Sequence, residues 1–328
     1  MRSERPTDER RERPTRYHRN RQENVIKLES VKPYIPRKVL PIVRSTYRRS
    51  AAILTPMTTL LKNVYYFLAD TTDALTGRRD ALVPPRRKIF VGDGDFRRTG
   101  EEFLRFFVEL GGLKPNEKVL DVGCGIGRMA IPLTRYLNED GEYEGFDVVP
   151  EGIEWCREKI TPRHPNFRFH LADIYNEWYN PEGKFEAADY KFPYEDESFD
   201  FIFLTSVFTH MLPRGMENYL SEIARVLKKD SGRCLITFFL LNPESLSLIS
   251  VGRGTLDFRH QHETYRIVDE NVPELAIAYD EQFVKDLYKK YGLRLVEIQR
   301  GSWCGREDFL TYQDVVVAEK KLVGKEWC

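Results

Sequence analysis

Residues whose types and spacing suit ligand chemistry are concentrated between positions 118 and 174. Residues 118–133 read K-V-L-D-V-G-C-G-I-G-R-M-A-I-P-L, with Asp121 two positions ahead of three alternating glycines, Gly123, Gly125 and Gly127. A short β-type run (Val119, Leu120, Val122) leads into them, and helix-forming residues 128–137 follow. Glycines let a backbone turn tightly and approach a ligand, and the helix beyond them offers unpaired N–H groups. Asp121 falls at the carboxyl end of its strand, where open α/β sheets bind ligands. Asp147 closes the next apolar run, 20 residues past Gly127, and an acid there can accept from both ribose hydroxyls of a nucleoside. Asp173 sits near the end of a third run, residues 167–174. A surface carboxylate at a strand end is the plain alternative for Asp173, as a simple strand–helix turn is for the glycines.

These residues need a scaffold of alternating strands and helices, and the sequence supplies one. Residues 103–110 carry a helical apolar stripe (Phe103, Leu104, Phe106, Phe107, Val108, Leu110) that ends at Gly112 and Pro115. Residues 144–149 read as the second strand, 150–160 as a helix and 201–204 as the fourth strand. An amphipathic helix over 218–227, a fifth strand over 234–241, a helix over 280–291 and strands over 294–299 and 313–318 follow. Residues 176–191 look like an insertion, and 242–273 form a long polar-aromatic segment. His260 and His262 alternate within it as strand residues do, but no carboxylate cluster of ligand spacing accompanies them, so no metal is assigned.

Composition bounds the rest. A chain of 328 residues with 41% hydrophobic and 12% aromatic side chains can bury a substantial core. Net charge is zero but unevenly spread. Residues 1–98 hold 23 Lys+Arg against 11 Asp+Glu, and the remaining chain carries the compensating acidic excess. The basic part suits an anionic partner or membrane surface, whereas the acidic remainder argues against a broad nucleic-acid platform. Cysteines 124, 156, 234, 304 and 328 are dispersed without a C-x-x-C pair, as in reduced cytoplasmic proteins, and no secretory leader is evident. Cys124 reads as a small packing residue rather than a nucleophile. Residues 1–24, nearly devoid of apolar side chains, are expected to be a disordered tail. Residues 25–89 are expected to be an N-terminal helical extension. Within it the apolar stretch 51–69, preceded by Arg44, Arg48 and Arg49, reads first as a helix covering the catalytic domain. A helix at the membrane surface is the second choice and a true span a distant third.

The glycine spacing G-x-G-x-G differs from the G-x-G-x-x-G of dinucleotide-binding folds. It resembles motif I of the class I S-adenosylmethionine (SAM)-dependent methyltransferases, small-molecule type. The approach F-P-Y-E-D-E-S-F-D (residues 192–200) and the phrase E-I-A-R-V-L-K-K-x-x-G-R (222–233) resemble that family as well. The resemblance implies a doubly wound α/β fold over residues 90–328: a seven-stranded, mostly parallel sheet with an antiparallel last strand. It implies SAM as cofactor, with Asp173 receiving the adenine amino group. The implied cofactor shell is Asp121, Gly123, Cys124, Gly125, Gly127, Arg128, Asp147, Val148, Ala172, Asp173, Ile174 and Thr205. The segment 242–273 would then cover the substrate, with residues 301–306 facing the same pocket. The Gly92–Gly100 loop is a further candidate to touch the cofactor, and an ordinary loop is the alternative.

His210, six residues past Leu204, is similar in position to the histidine of some O-methyltransferases. With an unperturbed pKa near 6.5 it can accept a proton from a hydroxyl at neutral pH; a locally hydrogen-bonded histidine is the alternative. The residues T-S-V-F after the fourth strand lack the Asn/Asp-Pro-Pro-aromatic tetrad of base N-methyltransferases, so no nucleic-acid substrate is expected. The expected activity is methyl transfer to a small-molecule or glycan hydroxyl. A lipid or quinone-like acceptor at a membrane, a non-catalytic SAM-binding scaffold and an NAD-linked oxidoreductase are the alternatives.

Overall fold

A computed structural model describes residues 64–321 apart from residues 74, 77–79, 91, 93, 177 and 178. The tail over 1–24 and residues 51–63 of the apolar stretch lie outside the described residues; residues 64–73 are helical. The chain divides into two compact units, Met1–Ala69 and Asp70–Cys328. Among the described residues no helix is long and apolar enough to cross a membrane.

In the second unit α1 (Phe96–Glu109) leads into β1 (Lys118–Val122), α2 (Ala130–Tyr136), β2 (Glu142–Asp147), α3 (Pro150–Lys159) and β3 (Phe167–Leu171). After a long connection come β4 (Phe201–Leu204), α4 (Pro213–Val226) and β5 (Arg233–Phe238). β6 (Leu240–Leu241), α5 (Pro243–Ser250), β7 (His260–Gln261), β8 (Tyr265–Ile267) and β9 (Ile277–Asp280) follow, then α6 (Glu281–Lys290), β10 (Leu293–Gln299) and β11 (Asp314–Lys320).

The central sheet runs β10–β11–β5–β4–β1–β2–β3. All pairs are parallel except those of β11, which is antiparallel to both β10 and β5. This is the seven-stranded arrangement expected from the sequence. The strand order departs in opposite directions from β1, toward β2 on one side and β4 on the other. A crevice for ligands therefore opens at their carboxyl ends.

Each face of the sheet is covered. Phe201, Phe203 and Val119 face the layer of α1, α2 and α3, while Leu120, Val122, Ile202 and Leu204 face that of α4 and α6. Burial on both sides explains why these strands read as continuous apolar runs rather than alternating ones. α1 starts where Asp95 accepts from the Arg98 N–H at 2.8 Å, capping the first turn. Its Phe107 stacks on Phe203 with ring centroids 4.1 Å apart.

Two differences from the sequence expectations bear on the site. β3 stops at Leu171 because the chain turns into the 174–185 segment, where Lys184 and Phe185 donate to the Asp173 carbonyl. Asp173 therefore lies two residues beyond its strand. The single strand expected over 234–241 is broken after Phe238. At Leu240 the N–H bonds the carboxylate of Asp314 (2.8 Å) instead of a strand carbonyl, and the chain crosses into a second, four-stranded sheet, β6–β9–β8–β7. The segment read as a covering insertion thus contributes β7 and β8 to this sheet, and its Phe258 packs with Phe239 and Trp303 in a small core.

Candidate functional site

The glycine turn needs its glycines for space. Gly123 has φ +81°, and a Cβ there would lie 2.5 Å from Val207 Cγ2, so the exits of β1 and β4 meet in contact. Gly127, at φ +82°, would place a Cβ 2.9 Å from Cys156 Sγ on α3. The N–H groups of Gly123 and Cys124 both donate to the Phe146 carbonyl, tying the turn to β2. Cys124 is buried and its thiol is pushed well above its ordinary pKa by burial, consistent with a packing role.

Asp121 is almost wholly enclosed. Its Oδ2 accepts from the Tyr143 hydroxyl at 2.6 Å, and among the described residues no donor reaches Oδ1. Burial raises its pKa from 3.8 to about 8, partly opposed by the Tyr143 hydrogen bond. A buried carboxylate oxygen without a donor, at the mouth of a glycine turn, is the kind of orphan that a bound cationic group would satisfy.

Asp147, the last residue of β2, faces the same turn. Its Oδ2 accepts from Gly125 N–H at 2.7 Å and its Oδ1 from Val149 N–H at 2.9 Å. Burial holds its pKa above the ordinary carboxylate value in spite of these backbone donors. A carboxylate has about four acceptor sites, so two main-chain bonds leave room for two ribose hydroxyls. The residues present therefore fit a nucleoside with a cationic tail.

The other residues expected around a cofactor line the same edge. Val148 packs partly buried against the core, Ala172 and Ile174 are buried, and Thr205 is half-buried just past β4. Asp173 is half-exposed and engaged by Lys184, whose Nζ lies 3.0 Å from Oδ2 and whose N–H donates to Oδ1. That lysine hydrogen bond lowers its pKa. Arg128 is half-buried, and burial lowers its pKa against the attraction of Asp121. A Cβ on Gly92 would stand 3.2 Å from Arg128 Nη1, and one on Gly100 would stand 2.6 Å from the Arg128 carbonyl. Gly92 and, within α1, Gly100 thus both lie against Arg128, the residue that follows the glycine turn.

His210 ends a short 3-10 turn, Phe208–His210, beyond β4, and is half-buried. Its Nδ1 lies 3.0 Å from the backbone carbonyl of Glu274, in the turn that precedes β9. A carbonyl only accepts, so Nδ1 carries the proton and the neutral ring keeps its lone pair on Nε2. Sequence reasoning had no means of finding Glu274, since any residue type provides a carbonyl. It also missed Ser206, a non-glycine at φ +61° whose N–H donates to Thr237 Oγ1 and whose hydroxyl donates to Gln313 Oε1. These bonds hold the bend that takes the chain from β4 toward His210.

Of residues 301–306, Gly301, Trp303, Cys304 and Arg306 are buried. Trp303 and Cys304 are buried in the small core of the second sheet, and the Arg306 guanidinium is paired with Asp314 and Glu244. Their apolar and charged side chains are consumed in fastening β11 to the inserted sheet. His260 faces Glu270 at 3.3 Å, while His262, beyond the end of β7, stacks on Tyr265 at 4.4 Å. Among the described residues no group of three or more His, Cys, Asp or Glu is arranged to hold a metal.

Residues 120–236 match the family model described as a methyltransferase domain. The chain is 28% identical over 205 residues to the methyltransferase GfsG of Streptomyces halstedii, covering 61% of each. It is 25% identical over 232 residues to phosphoethanolamine N-methyltransferase 3 of Arabidopsis thaliana, covering 69% of this chain and 42% of that one. The chain thus spans less than two thirds of the length of these relatives. Among solved structures the PH0226 protein of Pyrococcus horikoshii shares the fold, with a TM-score of 0.50 at 18% identity over 71% of this chain and 95% of that one.

Proposed function

We propose that this chain, which carries a class I SAM-dependent methyltransferase domain, moves a methyl group from SAM to a hydroxyl of a small-molecule or glycan acceptor. The observation that carries the hydroxyl reading is the hydrogen bond from His210 Nδ1 to the Glu274 carbonyl, which leaves Nε2 as a base at the carboxyl edge of β4. When bound, SAM supplies a methyl carbon activated by a sulfonium. Asp147 would hold the ribose hydroxyls and Asp121 would face the cationic tail. His210 Nε2 would accept the acceptor's hydroxyl proton while the oxygen took the methyl group and the sulfonium sulfur left as the neutral thioether of S-adenosylhomocysteine. Aligning acceptor and methyl group supplies the larger share of the rate, and the proton transfer about 10²–10⁴-fold.

The test is release of S-adenosylhomocysteine on incubation with SAM and a panel of hydroxyl, amine and quinone acceptors. With a responsive alcohol, His210→Ala should lose at least about 100-fold in kcat. Its calorimetric affinity for S-adenosylhomocysteine should equal that of the wild type. Full activity of the variant would remove the base. Tight homocysteine-product binding without turnover on any acceptor class would favour a scaffold role.

An amine acceptor is the second reading, supported by the likeness to a phosphoethanolamine N-methyltransferase. Turnover confined to amines in the same panel would select it. The lipid or quinone-like reading rests on residues 51–69, of which 51–63 lie outside the described residues. Cytoplasmic placement, with or without peripheral membrane contact, belongs to the same set of proposals.

A further inference from the structure

The two ends of the central sheet differ in what they show to water. At the amino edge, the connections 110–117, 137–141, 160–166, 195–200 and 227–232 leave no large apolar side chain exposed. At the carboxyl edge the opposite holds. Tyr175 and Phe185 after β3, Leu212 after β4, Leu275 before β9, and Phe309 and Tyr312 before β11 are each 38–51% exposed.

Hydrogen bonds tie these positions to His210. Leu275 follows Glu274, whose carbonyl lies 3.0 Å from His210 Nδ1 and whose Oε2 accepts from Asn176 Nδ2 at 3.3 Å. Asn176 follows Tyr175, and the Tyr175 N–H donates to the Phe185 carbonyl. Leu212 stands two residues past His210, at the cap of α4. Its neighbour Met211 comes close to Ala187: a Cβ on Gly215 would lie 2.9 Å from Met211 Cγ and 3.2 Å from Ala187 Cβ. At the bend after β4, Ser206 donates to Gln313 Oε1, and the adjacent Tyr312 packs edge-on against Phe239.

Single exposed apolar residues are ordinary on a protein surface and fall on all sides of it. A set gathered at one end, and bonded through Glu274 to the candidate base, marks a surface that something apolar covers. We propose that the methyl acceptor carries an apolar body, a ring system or a hydrocarbon chain, which rests on this rim while its hydroxyl reaches His210. This rests on the methyl-transfer reading given above and narrows its acceptor from small-molecule or glycan hydroxyls to amphipathic alcohols. A glycan presents hydroxyls on every side, and Leu212 and Leu275 have neither donor nor acceptor to meet them. An apolar body instead gains by removing those leucines from water.

The test is a fluorescence titration of the full chain, saturated with S-adenosylhomocysteine, with the apolar dye anilinonaphthalene sulfonate. The wild type should take up the dye, and octanol should displace it where sucrose at the same concentration does not. Leu212→Ser puts a capping residue at the cap of α4 and Leu275→Ser alters an exposed position, so both should keep the melting temperature. Each should lose about fivefold in dye affinity and bind S-adenosylhomocysteine as the wild type does. Val296→Ser, at the bulge of the edge strand β10, should leave dye affinity unchanged. No dye uptake by the wild type, equal affinity in both leucine variants, or an equal loss in Val296→Ser would overturn the proposal. A wild-type dimer that either leucine variant dissociates would make the rim a contact between copies and overturn it too. Capture by phosphatidylcholine vesicles, lost in both leucine variants, would assign the rim to a bilayer surface and overturn the acceptor. Failure of the wild type to bind S-adenosylhomocysteine would overturn the methyl-transfer reading, and the acceptor with it, whatever the dye does.

Discussion

Asp121 and Asp147 lie at one turn with different surroundings. Among the described residues Asp147 is served by main-chain N–H groups on both oxygens, whereas Asp121 has the Tyr143 hydroxyl on one oxygen and no donor on the other. Removal of the Asp147 carboxylate should abolish two charge-assisted bonds to the ribose, and Asp147→Ala is expected to weaken S-adenosylhomocysteine binding about 100-fold. Unchanged affinity by calorimetry would sink the ribose assignment. The raised pKa of Asp121 links folding to pH. Its value of about 8 in the folded state stands above the ordinary 3.8, so its contribution to stability is fully present below pH 3.8 and is lost as pH rises through 8. The ligand-free protein should therefore melt at a lower temperature at pH 8.5 than at pH 6. Asp121→Asn should flatten that part of the slope, and an identical slope in the variant would show that Asp121 does not titrate there.

At the scale of elements, the decisive feature is how β11 is fastened to the inserted sheet. Asp314 opens β11 and is fully buried. It accepts from Gly301 N–H, Leu240 N–H, Trp303 Nε1 and Arg306 Nη1 at 2.7–3.1 Å. Those four donors redirect β5 into β6 and anchor the loop before β11, so the second sheet stands over the carboxyl edge where His210 lies. Its turn at Glu274 then reaches back to orient that imidazole. Removing Asp314 leaves the buried N–H groups of Leu240, Gly301 and Trp303 without their acceptor and leaves the buried Arg306 with the exposed Glu244 as its remaining carboxylate. Asp314→Ala is accordingly expected to destabilise the fold by about 3–5 kcal/mol in denaturant titrations. A loss below 1 kcal/mol would mean that the network does not hold the sheet.

For the whole molecule, the relevant quantity is the coupling of cofactor binding to stability. S-adenosylhomocysteine at 100 times its Kd should stabilise the fold by about 2.7 kcal/mol, which for a domain of this size raises Tm by about 5–10 °C. NAD at the same concentration should leave Tm unchanged. A shift with NAD and none with the homocysteine product would return the molecule to the oxidoreductase alternative. The uneven charge along the chain belongs to this scale as well. Its basic excess falls mainly outside the described residues, so the central sheet is built almost entirely from the acidic remainder.

The sequence by itself determined the glycine turn, the carboxylates Asp121 and Asp147, and the seven-stranded sheet. Each of these is written in a few consecutive residues, as an apolar run, a φ-positive glycine or a strand-end acid. Only the tertiary structure decided what those groups meet. Tyr143 reaches Asp121 across 22 residues, and the Glu274 carbonyl reaches His210 across 64. The break after Phe238 depends on Asp314, 74 residues from Leu240, and so β5 looked like one long strand. Residues 301–306 looked like pocket residues because their types suit one, but their burial was fixed by the packing of Phe239 and Phe258 against Trp303. Local periodicity encodes elements; long-range hydrogen bonds and core packing select which side chains remain free to act.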